Sequence, residues 1–514
     1  MRKIFWIFFA FTFITESIMI YRDPFNAVSL IILLPLWAVG LYDVFQKKHT
    51  LKRNYPLVGR LRYVMEDLRP KIYQYFVESD TDGTPISRIE RSVVYQRAKK
   101  VLRTKPFGTQ RNVYSSGHEW INHSMYPFDE HEMRDENFRI NVGSKHCKKP
   151  YSLSILNVSA MSYGSLSAQA VEALNLGAKL GGFAHNTGEG SISKYHLKNE
   201  GDLIWQIGTG YFGARDKDGN FSSEEFKKRA CLDQVKMIEL KLSQGAKPGH
   251  GGILPAKKNT PEIANARGIE PYTLVASPPM HKAFSNDEQM IDFIEHLREL
   301  SGGKPIGIKL CYGRDEEFKR LCQTMYRKGS YPDYIVIDGA EGGTGAAPLE
   351  FSDSIGTPLL EGLAKARNYL EEYHLKNEIK LIASGKMITG FDIVRAIALG
   401  ADACYSARAM MLALGCIQAL ICNTNKCPAG IATQDPDLAG GIDIGNKGQR
   451  VANYQSETIN SVREIIASAG YSHPNFLRRT DIYRRITPTQ VASYEEIFPS
   501  YKGNKVTDGA GHEL

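Results

Sequence analysis

From Leu153 onward, short apolar runs closed by Gly-, Ser- and Asn-rich turns alternate with stretches of helical spacing, and this alternation constrains the fold most. Residues 155–161, 183–186, 273–276, 306–310, 334–338, 380–384 and 403–405 have strand character. Residues 168–180, 287–300, 316–328, 358–373, 390–398 and 407–420 have helical spacing. A strand followed each time by a helix implies a parallel α/β sheet covered on both faces. So many units within about 270 residues favour a closed (β/α)8 TIM barrel over an open doubly wound sheet. No G-x-G-x-x-G opens a helix after a strand, which speaks against a dinucleotide-binding half.

The barrel needs only part of the 514 residues, and the chain divides as follows. Residues 1–48 form a membrane hairpin, 49–150 a helical and irregular lead-in, 151–440 the barrel, and 441–514 a C-terminal extension. In the first segment, residues 4–20 and 25–45 are apolar enough and each roughly the 20 residues that cross a bilayer. Arg2 and Lys3 flank one side, and Lys47, Lys48, Lys52 and Arg53 the other. Cations at both outer ends predict a transmembrane helical hairpin in the cell membrane with the catalytic mass facing the cytoplasm. A second apolar stretch and the lack of a small-residue cleavage site argue against a removed signal peptide. In the lead-in, residues 61–75 have helical spacing broken at Pro70, and 87–101 form a helix with a basic face. Trp120, His123 and Tyr126 belong to packing there, without assigned chemistry. The Gly-Ala-Gly-His tail at 509–512 is a loose terminus.

Net charge is +8, but the basic residues are dispersed with no dense basic and aromatic patch, so nucleic acid is not an expected partner. Eight cysteines in so long a chain are too few for a disulfide scaffold and place it in a reducing compartment.

In a barrel of this kind ligands sit where the C-terminal strand ends meet their loops. After the first strand, Ala160, Met161 and Ser162 lie among small residues that let a flat ring approach the backbone. Glu189 lies in a polar, flexible loop after the next strand, and Gln244 and Lys247 in a long Gly-rich one, QGAKPGHGG. Lys309 ends a strand, where a cation can face an electron-rich ring and stabilise its reduced, anionic form. Gly343 lies in the Gly-rich loop that ends another strand. Ser384, Gly385 and Gly390, then Ser406, Ala407 and Arg408, follow the last two strands and precede helices. Backbone N–H groups there can cradle a phosphate with Arg408 as counter-charge. Phosphate binding at the last two strands, with a lysine midway round the ring, is what a flavin mononucleotide (FMN) site needs.

Beyond those strands Cys416, Cys422 and Cys427 recur as C-x5-C-x4-C, followed at once by Pro428. A zinc site wants a fourth Cys or His nearby, and none lies between Gly415 and Gln434. Three soft thiolates without a fourth suit an iron–sulfur cluster, since a three-iron cluster needs only three protein ligands. Three reduced, buried thiols are the alternative that spacing leaves open.

Taken together, QGAKPGHGG, ASPP.H at 276–281, DGAEGGTGAAP at 338–348, the glycines of 384–403 and ALGC…C…KCPAGIATQ at 413–434 resemble the synthase domain of the glutamate synthase large-subunit family. The resemblance covers about 153–434. It implies a barrel binding FMN and a [3Fe-4S] cluster, with reductive amination of 2-oxoglutarate through 2-iminoglutarate reduced by hydride from the flavin. It implies Cys416, Cys422 and Cys427 as cluster ligands, Lys309 beside the flavin, and Gln244, Lys247 and Glu189 in the substrate pocket. Family members of the large type begin with a glutaminase domain, and none is recognised here before Leu153. Ammonia is therefore expected free or from a glutaminase partner, and electrons from a donor protein such as ferredoxin or a reductase subunit. His250 stands where the family has an acidic residue in KPG-x-GG. Two other readings accompany this one. In the first, the same FMN barrel, tethered to the membrane, acts on another substrate. In the second, a non-catalytic subunit retains the fold.

Overall fold

The computed structural model describes residues 1–102 and 104–503. The tail at 509–512 therefore lies outside the described residues. The chain forms two compact units, Met1–Arg88 and a second that begins at Ile89.

The first unit opens with helices α1 (Arg2–Arg22) and α2 (Leu30–Phe45), joined through a 3₁₀ turn over Pro24–Ser29. The two helices pair along their length. Phe9 and Phe13 set their rings 5.5 and 5.6 Å from Trp37, whose Nε1 donates to Thr12 Oγ1 at 3.0 Å. Gly40 leaves room for the Phe5 ring, which a Cβ would strike. Arg2–Arg22 and Pro24–Phe45 are both long and apolar enough to cross a bilayer, by length and composition. Helix α3 (Arg60–Ile72) follows, and Pro70 does not end it. A proline near a helix end removes only one donor, and the chain continues through a wide π turn over Tyr73–Val77.

In the second unit eight strands close a parallel barrel in chain order. They are β1 (Leu156–Val158), β2 (His185–Asn186), β3 (Leu203–Ile207) and β4 (Val235–Lys241), then β5 (Ile306–Leu310), β6 (Tyr334–Asp338), β7 (Lys380–Ser384) and β8 (Ala403–Ser406). Residues 273–276 are not one of them. Val275–Ala276 pairs antiparallel with Ile253–Leu254 in an excursion after β4. The third and fourth strands are instead β3 and β4, two segments absent from the sequence expectation. The β3 run is buried throughout, while β4 carries Lys236, Glu239 and Lys241, which mask its apolar pattern.

The barrel interior is filled by Ile204, Met237, Val336, Ile382 and Ala403, with Tyr334 and Tyr405. A hairpin of Arg139–Val142 and Tyr151–Ser154 packs Ile140 and Tyr151 against this core. Outside run α4 (Ala168–Gly181), α5 (Asp287–Leu300), α6 (Asp315–Lys328), α7 (Leu359–Glu372), α8 (Gly390–Ala398) and α9 (Arg408–Leu414). Helix α9 stops well short of residue 420, because Gly415 turns the chain at φ 114°, a left-handed conformation that favours glycine. The long helix α10 (Ile444–Ser468) lies against α4, with Gly177 and Gly448 letting the two backbones approach. A three-stranded sheet joins Glu119–Ile121 of the lead-in to Ile482–Thr487 and Gln490–Ser493 near the C-terminal end.

Candidate active site at the strand ends

Pairing register sets the chemistry at the barrel mouth. Lys309 on β5 lies opposite Lys241 on β4, Gln206 on β3 opposite Glu239 on β4, and Asp338 on β6 opposite Ser384 on β7. Polar and charged side chains thus meet in neighbouring layers, just where the hydrophobic filling stops. Above them a single cavity is lined by residues from the ends of seven strands: Ser159 and Ala160, Gln206, Lys241 and Gln244, Lys309, Asp338 with Gly342 and Gly343, 384–388, and 405–409.

Of the residues singled out from sequence, Ala160, Gln244, Lys309, Gly343, Ser384, Gly385, Ser406, Ala407 and Arg408 all line this cavity. Met161, Ser162 and Gly390 do not. The Met161 carbonyl lies 3.1 Å from His196 Nε2, and the Ser162 hydroxyl bonds to that of Ser165 at 2.7 Å. Gly390, the first residue of α8, faces Ser461 and Val462 of α10.

Asp338 is the hub of the mouth. Its carboxylate accepts from Ser384 Oγ at 2.6 Å and from the Gly245 N–H at 2.9 Å, with Lys309 Nζ at 3.6 Å. Gly245 is obligatory here, since a Cβ would strike the Gly339 carbonyl. Deeper, Glu239 accepts on one oxygen from Asn186 (2.9 Å) and Gln206 (2.6 Å), while its other oxygen has no protein partner. Burial raises its pKa above the usual carboxylate value, against the pull of Lys309. On the far side of the mouth, Arg408 donates to the Glu341 carbonyl and crowds Gly343.

Glu189 organises a second cluster. Lys241 Nζ donates to it at 3.0 Å and to Gln244 Oε1 at 2.5 Å. Burial alone would raise the Glu189 pKa, but Lys241, Lys247 and Arg267 together outweigh burial and hold the carboxyl below its ordinary value. Burial pulls Lys247 down to about 8, and its ammonium donates to the Ala346 carbonyl at 3.0 Å. Arg267, also buried, falls to about 10. It donates to the Tyr163 carbonyl at 3.1 Å, and its Nε has no protein partner. Three cations thus act on one carboxylate, Lys241 as a direct donor and Lys247 and Arg267 through their charge.

Sequence reading found Glu189 and Lys247 but missed Lys241, Arg267, Gln206 and Glu239. The available signal was charge within a buried strand: Glu239 and Lys241 interrupt an otherwise apolar run. Arg267 ends a helix in the excursion after β4, where nothing local marks it.

Cys416, Cys422 and Cys427 lie on one loop after α9. Positive φ at Gln418, Leu420 and Asn425 folds that loop back on itself. Burial raises the Cys416 thiol to about 11, and the neighbouring Cys422 and Cys427 push the same way. Inside the loop sits the buried ammonium of Lys258, bonded to the carbonyls of Cys422 and Ala432, both at 2.9 Å. Among the described residues no three His, Cys, Asp or Glu side chains converge on a single metal ion. Three thiols on one loop with a buried cation beneath them are the donor set an iron–sulfur group would use. The loop abuts the cavity wall: a Cβ at Gly345 would lie 3.4 Å from Cys422 Cβ, two residues beyond Gly343.

The conserved region of glutamate synthase matches residues 111–472. The glutamate synthase large subunit-like protein YerD of Bacillus subtilis is 39% identical over 511 residues, covering 91% of this chain and 97% of that protein. The archaeal-type glutamate synthase [NADPH] of Thermotoga neapolitana is 34% identical over 320 residues, and the archaeal glutamate synthase [NADPH] of Methanocaldococcus jannaschii 35% over 322. Each of these two matches covers 62% of this chain and 60% of the relative. The chain belongs to the glutamate synthase family.

Proposed function

We propose that this chain is a flavin and iron–sulfur oxidoreductase that forms glutamate by reductive amination of 2-oxoglutarate. The observation that carries the reading is the gathering of Lys241, Lys247 and Arg267 about Glu189, with Lys241 lining the cavity at the strand ends. The substrate is a dianion, which such a set of cations favours. Lys247 and Arg267 receive its carboxylates, and Lys241 stays tied to Glu189 and Gln244. Carbonyl carbon and ammonia condense to the imine with loss of water, and two electrons and two protons then give the amine. Glu189, held ionised by its three cations, accepts a hydrogen bond from the incoming ammonia and orients it.

FMN, when bound, would supply the hydride that reduces 2-iminoglutarate. The residues present fit it: 384–388 and 406–408 would hold its phosphate, and Ala160, Gly343 and Lys309 would line its ring. Cys416, Cys422 and Cys427 would hold a [3Fe-4S] cluster, with Lys258 offsetting its negative charge. Electrons then arrive from a donor such as ferredoxin or a reductase subunit, and ammonia arrives free or from a glutaminase partner. The apolar hairpin α1–α2 holds the enzyme in the cell membrane, with the barrel facing the cytoplasm.

A second reading keeps the cofactors and changes the substrate. His250, exposed at the tip of the Lys247 loop with its ring 5.3 Å from Phe351, supports it by altering the charge there. The test is one preparation of full-length protein in detergent. Flavin absorbance, bound iron, and glutamate from 2-oxoglutarate plus ammonium with chemically reduced ferredoxin are the expected results. Cofactor-replete protein that makes no glutamate would favour the second reading. A colourless preparation lacking flavin and iron leaves only a non-catalytic subunit.

A further inference from the structure

Helix α3 and the basic segment before it form a surface that the proposed reaction does not use. Leu61, Val64, Met65, Leu68 and Ile72 are between 37% and 58% exposed, and no residue of the helix is buried. At 3.6 residues per turn these five fall within an arc of about 100°, the width of an apolar helix face. Arg60 and Lys71 border one edge of that arc, and Arg62 and Arg69 the other. Glu66 and Asp67 lie away from it and pair with Arg62 (2.8 Å) and Lys71 (3.5 Å). A soluble protein rarely leaves such a continuous apolar stripe uncovered.

Two further observations say what covers it. Residues 47–72 carry eight Lys and Arg against two acidic residues, a charge that complements an anionic surface. The start of α3 is also fixed to the end of the second apolar helix. Arg60 grips the buried Asp43 with both arms, Nη2 to Oδ1 at 2.8 Å and Nε to Oδ2 at 2.9 Å, and the Leu57 N–H adds a bond at 3.1 Å. Asp43 is two residues from the end of α2 at Phe45. The clamp therefore sets α3 at the depth where a spanning helix would leave the hydrocarbon.

We infer that α3 is an interfacial helix, which lays its apolar stripe into the acyl boundary of an anionic bilayer while Arg62, Arg69 and Lys71 at its edges meet lipid phosphates. The inference rests on the hairpin reading and adds a second, charge-sensitive contact to it. Its consequence is that the linker out of the membrane lies along the surface, so anionic lipid content governs how that linker is held.

Photo-crosslinking tests it on the full chain in nanodiscs of phosphatidylcholine alone or mixed with phosphatidylglycerol. Benzoylphenylalanine is placed singly at Leu68 on the stripe, at Glu66 on the opposite side, and at Ile32 in α2. The expected result is lipid adducts at Leu68 and Ile32 and none at Glu66. The Leu68 yield should rise several-fold with phosphatidylglycerol, and Arg62→Gln with Arg69→Gln should flatten that rise. Lipid adducts at Ile32 with none at Leu68 would overturn the interfacial helix and leave the hairpin intact. An adduct from Leu68 to another copy of the chain would make the stripe a protein interface and likewise overturn it. Lipid at Leu68 without lipid at Ile32 would remove the spanning hairpin and retain the surface helix.

Discussion

At the scale of single residues, the candidate site is a gathering of charged side chains at the end of a hydrophobic core. Lys247 is the most informative. Burial leaves its pKa near 8, so it is charged at neutral pH and loses its proton just above. On the proposed function a dianion binds the charged form, so kcat/KM for 2-oxoglutarate should be full well below about pH 8 and fall as pH rises through it, this limb reporting the free enzyme. Lys247→Met should remove the limb and lower kcat/KM by roughly 30- to 1000-fold, the effect of truncating one partner of a buried charge pair. A pH–rate profile checks both, and an unchanged limb in the variant would assign the titration elsewhere. Cys422 gives a separate test, because it belongs to the loop and not to the cavity wall. Cys422→Ser should lower bound iron, measured colorimetrically, while flavin absorbance is retained. Equal iron in both proteins would remove Cys422 from the ligand set.

At the scale of elements, how much was legible depended on whether an element's pattern was only structural. Strands β5, β6 and β7 are nearly pure apolar runs closed by glycine turns, and helices α5 and α8 carry capped, amphipathic sequences; the sequence alone predicts all five closely. Strand β4 escaped because its function put Glu239 and Lys241 into the barrel mouth, where local pattern and tertiary role conflict. Strand β2, only two residues long, falls within the expected 183–186, β3 escaped as well, and 273–276 has a strand's composition but pairs in an excursion. The same logic governs the site: loops rich in glycine next to strand ends were readable, whereas Arg267 acts on Glu189 through its charge only because tertiary folding brings it near. Helix α10 shows packing at its tightest. A Cβ on Gly177 would lie 2.7 Å from Val451 Cβ and 2.9 Å from the Gly448 carbonyl, while Gly448 in turn admits Leu176. Gly177→Val should therefore overpack the α4–α10 seam by about 1–3 kcal/mol and lower Tm by roughly 1–4 °C in a thermal melt. Gly441→Ala, where the added carbon meets only the Leu438 carbonyl at 3.5 Å, is the control and should melt with the parent.

At the scale of the whole molecule, the chain joins an apolar hairpin to a barrel whose proposed reaction needs only dissolved metabolites and electrons, and the proposed membrane attachment is what would decide where that reaction happens. Arg2–Arg22 and Pro24–Phe45 span 21 and 22 residues, each about 32 Å as a helix, against a hydrocarbon core of about 30 Å. Glu16 does not forbid insertion, because it is buried inside the pair with Ser29 as its partner. Arg2 and Lys3 at one end and Lys47 and Lys48 at the other would then emerge on the same side, the cytoplasmic one. Salt weakens surface attachment by lysines and arginines within a Debye length, whereas a spanning pair is held by apolar area that salt does not weaken. The full chain should therefore remain in the membrane pellet through high-salt and alkaline carbonate washes and leave it only with detergent. Trypsin should digest the barrel from inside-out vesicles and spare it in intact protoplasts. Release by salt alone would reduce the attachment to electrostatics at the surface. Digestion in intact protoplasts would reverse the orientation and separate the barrel from any cytoplasmic electron donor.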